Sequence, residues 1–283
     1  MRRGLRLIAL VALVPLVGLL PARAEPGDGF HLERRLPAST LAFASMEDIH
    51  AWQQRFDATA MGKMMADPEM QAFMAPIAEA AQQLMEGGML EVPPIVTELM
   101  GQMAGLRGQI GIGLISVDPQ QEKVSLAASL DFGEHVGDFM EFLKRVKTEM
   151  DPEGRMVKTV EHDGRTWWEA DLGPGAPFSV HATTVDTALV LATDRDLLKS
   201  MLAGPAEASL GTSEDFLAVR RRAGGGDLGV FVYGNVKAAL DAFGPMIPPE
   251  GLTIGNALGL DTVRAVAYGM AFKGDGFRDT LMV

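Results

Sequence analysis

The sequence predicts an α+β protein in which antiparallel sheets of β-hairpins carry helices packed on one face. Three observations predict this class. Short segments alternate apolar and polar residues with a period of two. Turn residues, including the Asp-Gly pair at Asp163-Gly164, separate consecutive segments of this kind. The remaining segments have helical spacing and begin at residues that cap helices. Together these patterns indicate hairpins joined by helices.

Residues 1–24 have the pattern of a secretory signal peptide. Arginines at the start precede the apolar run Leu7–Leu20, and Ala22-Arg23-Ala24 offers the small residues that signal peptidase recognises. The 14-residue run is too short to cross a hydrocarbon core of about 30 Å at about 1.5 Å per residue. We therefore expect cleavage after Ala24 and export to the periplasm or the extracellular space.

The charge balance of the chain argues against several classes of partner. The full sequence has a net charge of −12, and removal of the four arginines in residues 1–24 brings it to about −16. Nucleic acids and anionic lipid headgroups are bound through lysine and arginine, so neither is an expected partner. The chain has no cysteine, which excludes disulfides, thiol catalysis and lipid attachment through cysteine. We expect a soluble acidic protein without a transmembrane segment after cleavage.

The first predicted unit spans residues 36–212 and follows a flexible, polar lead-in at 25–35. Leu41–Ser45 is typical of a short buried strand, and the next segment, Glu47–Phe56, has helical spacing. A long methionine-rich helical insertion follows at 57–105. Within it, Asp67-Pro68-Glu69 marks a helix start, since Asp caps, Pro fits the first turn and Glu suits the positive end of the helix dipole.

The remainder of the first unit alternates hairpins with helices. Strands are predicted at Gln109–Val117 and Lys123–Phe132, and the helix after them ends near Met150. Two hairpins follow, the second centred on Asp186. The next helix begins at the cap Asp194 and stops before Gly204-Pro205.

Residues 213–283 form a partial second unit. Leu228–Tyr233 is a predicted strand, Asn235 caps a helix that runs through Phe243, and two strands follow at Thr262–Phe272 and Phe277–Val283. This order repeats that of residues 41–132, so we expect a degenerate structural repeat. The second copy is either a minimal closing unit or part of a longer protein.

Methionine is the most unusual residue in the composition, because nine of the 18 lie between Met61 and Met103. Three explanations are open. The side chains fill gaps in a helical core, or they line an adaptable apolar groove for a lipid or peptide. Alternatively, Met61, Met64 and Met65 hold Cu(I), a soft ion that binds thioethers.

Five histidines offer the only obvious start for catalysis, and none has the spacing of a local zinc motif. His162 lies at the Asp163-Gly164 turn, and His181 lies on a strand two residues after Ser179. An extracytoplasmic hydrolase would need His162 or His181 beside carboxylates that the fold brings close. No catalytic residue, cofactor or metal site is predicted from the sequence itself.

Two further motifs can be explained by structure alone, without a function. The glycines of Gly108–Gly113 do not fit a dinucleotide-binding loop, because they lie within a strand, and a bulge-prone strand explains them. Adjacent strand residues face opposite ways, so one of Trp167 and Trp168 belongs to the core. The other is either a candidate ligand contact or is covered by a neighbouring helix.

Leu36-Pro-Ala-Ser-Thr-Leu-Ala-Phe-Ala-Ser45, the helix with Arg55-Phe56, and Met61-Gly-Lys-Met-Met-Ala-Asp-Pro68 carry a family resemblance. They resemble exported bacterial proteins of unknown function that open with an LPA-[DST]-T-L-A strand and a D-P helix step. The resemblance implies an envelope or secreted location and an α+β repeat. It implies no activity and no catalytic residues.

The sequence thus favours a non-enzymatic binding or structural protein of the cell envelope, acting on an apolar ligand or an envelope protein. Met61, Met64, Met65, Trp167 and Trp168 are its candidate contact residues. The alternatives are the hydrolase with His162 or His181 and methionine-based copper handling. Nothing in the sequence sets the oligomeric state.

Overall fold

A computed structural model describes residues 29–86, 94–118, 123–151, 153–154, 156–171, 178–205, 207–225, 228–257 and 259–283. These residues form one ten-stranded sheet and nine α-helices. The predicted α+β class with antiparallel hairpins is therefore confirmed. The predicted signal peptide lies outside the described residues. None of the helices in the described ranges is both long enough and apolar enough to cross a membrane.

The strands follow the predicted segments closely. In chain order they are β1 Ala42–Met46, β2 Ile110–Asp118, β3 Lys123–Asp131, β4 Val157–His162, β5 Arg165–Ala170, β6 Val180–Val185, β7 Ala188–Ala192, β8 Leu228–Gly234, β9 Val266–Lys273 and β10 Gly276–Met282. Asp163 and Asp186, at the two predicted hairpin turns, have positive φ angles of 50° and 53°. Asp is one of the few residues that adopt this conformation readily.

The helices also begin near the predicted capping residues. They are α1 Ile49–Ala58, α2 Ala60–Ala66, α3 Pro68–Glu86, α4 Pro94–Met103, α5 Val136–Met150, α6 Arg195–Leu202, α7 Glu214–Ala223, α8 Val236–Phe243 and α9 Pro249–Ala257. The side chains of Asp194 and Asn235 accept hydrogen bonds from first-turn amides of α6 and α8, as predicted. Helix α9 lies where the sequence indicates only a connector.

The strand order places the two predicted units side by side in one sheet. The order is β10-β9-β8-β1-β2-β3-β7-β6-β5-β4, and every neighbouring pair is antiparallel. Strand β1, from the first unit, pairs with β8, from the second, with Phe43 opposite Tyr233. The two units therefore share backbone hydrogen bonds between the third and fourth strands of the sheet.

Helices cover both faces of the sheet, so the predicted packing on one face is wrong. Adjacent residues of β7 belong to different apolar cores, Leu189 to one and Val190 to the other. Successive strand residues point to opposite faces, which places the two cores on opposite sides. The core that contains Val190 includes side chains of α6 and α7, and the core that contains Leu189 includes side chains of α5.

Of the predicted flexible lead-in at 25–35, residues 25–28 lie outside the described residues, and residues 29–35 are folded against the sheet. Residues 29–36, which we call the strap, contain a 3-10 turn at Leu32–Arg34 and lie across strand β2. Leu32 and Leu36 are fully buried. A Cβ at Gly111 would lie 3.0 Å from the Leu32 side chain, and a Cβ at Gly113 would overlap Leu36. The glycines of β2 thus leave room for the strap leucines, which is a role that the sequence motif did not indicate.

Candidate functional site

Two consecutive helices, α2 and α3, carry six exposed large apolar side chains, three of which are predicted ligand contacts. We call this the methionine surface, and its members are Met61, Met64, Met65, Phe73, Met74 and Ile77. The three α2 methionines are 43–46% exposed, and Phe73 is 70% exposed. The explanation that these methionines fill gaps in a helical core is therefore wrong for Met61, Met64 and Met65. Their i, i+3, i+4 spacing places them on one side of α2.

A tight corner fixes the direction of α2 against α1. The Thr59 side chain accepts a hydrogen bond from the Gly62 amide at 3.0 Å and donates one to the Phe56 carbonyl at 2.6 Å. A Cβ at Gly62 would overlap that same carbonyl oxygen. Only glycine allows the two helix backbones to approach this closely. The methionine surface is thus exposed but is attached to the fold through a defined turn.

Aromatic side chains hold this corner against the edge of the sheet. Trp52 and Phe56 of α1 stack at 5.3 Å between ring centroids, and Phe272 and Phe277 of the β9–β10 hairpin lie beside them at 5.9 and 6.1 Å. The Ala60 amide, at the start of α2, donates a hydrogen bond to the Asp275 carbonyl in the turn of that hairpin. The corner therefore has both apolar and polar anchors.

Helix α3 begins where the sequence predicts. The Asp67 carboxylate accepts hydrogen bonds from the amides of Glu69 and Met70 at 2.8 and 3.3 Å, which satisfies two donors of the first turn. Residues 71–77 are all exposed. On this helix Phe73, Met74 and Ile77 lie open to solvent.

A second notable cluster joins the strap to the sheet and to α7. We call it the strap network, and its members are His31, Glu33, Glu47, Gln109 and Arg220. Arg220 donates to Glu33 at 3.2 Å and to Glu47 at 2.7 Å. The Gln109 amide donates to Glu33 at 2.9 Å, and its oxygen accepts from the Leu32 amide at the same distance.

His31, Glu33 and Glu47 have the chemistry of a metal site, since one ligand atom of each lies within 4.8 Å of the others. The guanidinium of Arg220, however, already binds both carboxylates. A divalent ion would have to displace this internal cation and break the pairs that hold it. The residues therefore fit a structural ion network better than a metal centre. Sequence reasoning missed the cluster because Glu33 and Arg220 are 187 residues apart.

His162 and His181, the candidate bases of the hydrolase hypothesis, lie in separate surroundings. His181 Nδ1 is 3.5 Å from Glu169 Oε1, but the same oxygen binds Arg195 at 2.5 Å. His162 packs edge-on against Trp167. Among the described hydrogen bonds, none joins either histidine to a serine or threonine hydroxyl. His162 Nε2 also lies 3.4 Å from Asp163 Oδ2, so both histidines have a carboxylate neighbour, but no hydrogen bond of the described residues supplies the hydroxyl nucleophile that a hydrolase of this type needs.

The structure divides the two tryptophans as the strand alternation predicts. Trp167 is 2% exposed and belongs to the core, so it is not a ligand contact. Trp168 faces the other side of β5 and is half-buried. It lies opposite Ala182, which packs at the edge of the second core. Of the two tryptophans, only Trp168 is partly exposed and remains a candidate ligand contact.

An open groove of about 380 Å³ lies between β2 and α8, away from all of these residues. Leu41, Ile115 and Val117 line one part of it, and Ala238 and Asp241 line another. Its lining is mainly apolar and includes none of the five histidines. It is a shallow surface feature without a constellation of catalytic groups.

A comparison of the chain with protein-family models, curated proteins and solved structures finds no match. The resemblance to exported proteins of unknown function therefore stays a prediction.

Proposed function

We propose that this chain is an exported, non-enzymatic protein of the cell envelope that binds an apolar ligand, lipid or peptide, at the methionine surface. The observation that carries the proposal is the exposure of six large apolar side chains on two consecutive helices. Within each helix the three side chains are close in the helical repeat, and groups of neighbouring exposed apolar side chains are typical of binding surfaces. The signal-peptide pattern of residues 1–24 supports the location.

The chemistry of the surface suits a ligand of variable shape. Methionine has three rotatable bonds and a polarisable sulfur, so a methionine-rich surface adapts to different apolar partners. The corner at Thr59 and Gly62 holds the base of α2 in place. A fixed base with adaptable side chains favours binding over catalysis, because catalysis requires groups held in one geometry.

We also infer that the fold contains the degenerate repeat expected from the sequence. Strand β1 leads into helices and then the hairpin β2–β3, and strand β8 leads into α8, α9 and then the hairpin β9–β10. These two sets lie on either side of the antiparallel β1–β8 pair. The order of elements supports the inference, and residue identities barely contribute to it.

Binding of the neutral apolar dye Nile red to residues 25–283 tests the proposed function. We expect dye fluorescence to rise with the unaltered protein and to fall strongly when Met61, Met64 and Met65 are all changed to serine. Met246→Ser is the matched control, because Met246 is 63% exposed and lies outside the methionine surface. Equal dye binding by all three proteins would contradict the proposal.

Native mass spectrometry of protein purified from the periplasm gives a second test. We expect co-purified apolar species that disappear in the triple serine variant. The same sample reports the N-terminus, which should be Glu25 if cleavage follows Ala24. Retention of residues 1–24 in the exported protein would contradict the signal-peptide interpretation.

A further inference from the structure

The helices that carry the methionine surface are acidic. Residues 60–86 contain one cationic residue, Lys63, and four acidic residues, Asp67, Glu69, Glu79 and Glu86, which gives a net charge of −3. Asp67 and Glu69 are exposed between the α2 methionines and Phe73. The apolar side chains are thus bordered by negative charge.

We propose that the methionine surface docks a cationic amphipathic helix, a polypeptide segment with one apolar face and a rim of lysine or arginine. This inference rests on the proposed function and specifies its partner. Apolar residues of the partner helix cover the exposed α2 methionines and Phe73 and Ile77, and its basic residues lie against Asp67 and Glu69. Helix-in-groove recognition of this kind uses apolar anchors spaced by three or four residues.

Charge separates this partner from the other candidate occupants. A second copy of the chain would bring the same acidic segment against itself, and like charges oppose close approach. An anionic membrane would meet the same repulsion, since the chain as a whole carries −12. A basic amphipathic helix carries the opposite charge, so electrostatic attraction and burial of apolar side chains both favour its binding.

The arrangement of the acidic groups also fits recognition along the helix axes. Asp67 lies at the junction of α2 and α3, where it caps α3 through Glu69 and Met70. Only one of its oxygens accepts those two bonds. The carboxylate is therefore fixed at the junction of the two helices while it remains exposed. A basic residue on the rim of a partner helix can reach it there.

Calorimetric titration of residues 25–283 with two designed peptides tests the proposal. Both peptides have the same amphipathic leucine pattern, and their polar positions are lysine in one and glutamine in the other. We expect the lysine peptide to bind about tenfold more tightly at low salt, because several exposed ion pairs each contribute a little. That advantage should shrink as the ionic strength rises.

Charge-neutralising variants identify the residues responsible. Asp67→Asn with Glu69→Gln should remove most of the advantage of the lysine peptide, while asparagine still caps α3. Glu134→Gln with Asp138→Asn is the matched control, because both groups are exposed but lie at the start of α5. The control variant should bind as the unaltered protein does.

Other results would overturn the proposal in distinguishable ways. If both peptides bind equally and Phe73→Ser weakens both, the cationic partner is wrong and the apolar binding function remains. Tighter binding to phosphatidylcholine vesicles than to the lysine peptide would identify a lipid instead. A dimer that dissociates on Ile77→Ser would identify a second copy. If neither peptide nor Nile red binds, the partner and the proposed function both fail.

Discussion

Arg220 is the central residue of the strap network, since it is the cation that binds Glu33 and Glu47. Its guanidinium also lies over the rings of Phe216 and Phe231, at 5.7 and 5.9 Å from their centroids. Glu33 is almost fully buried. A buried carboxylate is costly unless a partner compensates it, so the arginine determines whether the strap can stay in place.

Replacement of Arg220 by methionine should lower the free energy of unfolding by about 2–4 kcal/mol, because it leaves two close carboxylates without their cation. Urea denaturation measures this loss. Arg222→Met, two residues further along α7 and exposed, should change the value by less than about 0.5 kcal/mol. Equal losses in both variants would show that the strap network contributes nothing specific.

Tyr233 is a buried residue whose pKa can be measured directly. Its ring packs against Phe216 at 5.1 Å in the core. Burial, with a smaller contribution from the charge of Asp215, raises the pKa of Tyr233 to about 12. The other tyrosine, Tyr268, donates a hydrogen bond to Asp279 at 2.8 Å, and this bond raises its pKa as well.

We expect alkaline conditions to destabilise the protein through Tyr233. The folded state holds the phenol proton more tightly than the unfolded state, whose pKa is about 10. The resulting stability is complete below pH 10 and is lost as the pH rises towards 12. Urea titrations between pH 9 and 12 should show this loss, and Tyr233→Phe should reduce it. An unchanged slope in that variant would contradict the assignment.

At the scale of single elements, local signals predicted what depends on a few neighbouring residues. Asp67, Asp194 and Asn235 cap their helices because each carboxylate or amide reaches amides two or three residues ahead. The Asp163-Gly164 turn follows from the positive φ angles that both residues adopt. These features require no knowledge of the rest of the chain.

The candidate site depended on contacts that local signals do not contain. The apolar stripe of α3 is the same whether Phe73 meets a core or solvent, so periodicity could not reveal its exposure. The strap has too few residues for a periodic signal, and its burial depends on Gly111, Gly113 and Arg220, far along the chain. The strand order likewise depends on pairing between strands far apart in the sequence, such as β1 and β8.

A side chain at Gly62 should destabilise the corner between α1 and α2. Gly62→Ala places a methyl group against the Phe56 carbonyl, and the resulting displacement should lower the free energy of unfolding by about 1–3 kcal/mol. Gly101→Ala in α4 has open space around its Cβ and should be neutral or slightly stabilising. Thermal denaturation compares the two, and equal stability would contradict the role of the corner.

At the scale of the whole molecule, the β1–β8 pair joins the predicted units in one continuous sheet. Phe43 of β1 lies 5.8 Å from Phe216 of α7, so the core that contains Val190 crosses the predicted boundary at residue 213. Neither unit can open at this boundary without exposing apolar side chains of the other. We therefore expect the two predicted units to fold together rather than as separate bodies.

We expect a single unfolding transition as a result. Tryptophan fluorescence, which reports on Trp52, Trp167 and Trp168, should coincide with far-ultraviolet circular dichroism across a urea titration. Because Trp52 lies beside the β9–β10 hairpin and Trp167 lies in β5, the three side chains sample both ends of the sheet. Separate midpoints for the two signals would indicate independent units.

The position of the strap in the sequence has a consequence for the order in which contacts form. Glu33 is synthesised 76 residues before Gln109 and 187 residues before Arg220, and it needs both to be stabilised. Until α7 packs against the sheet, the strap carboxylates have no cation to compensate them. Long-range contacts of this kind form late, so the segment that emerges early should be among the last to settle. We expect proteases to cleave the strap readily during refolding and slowly once the protein is folded.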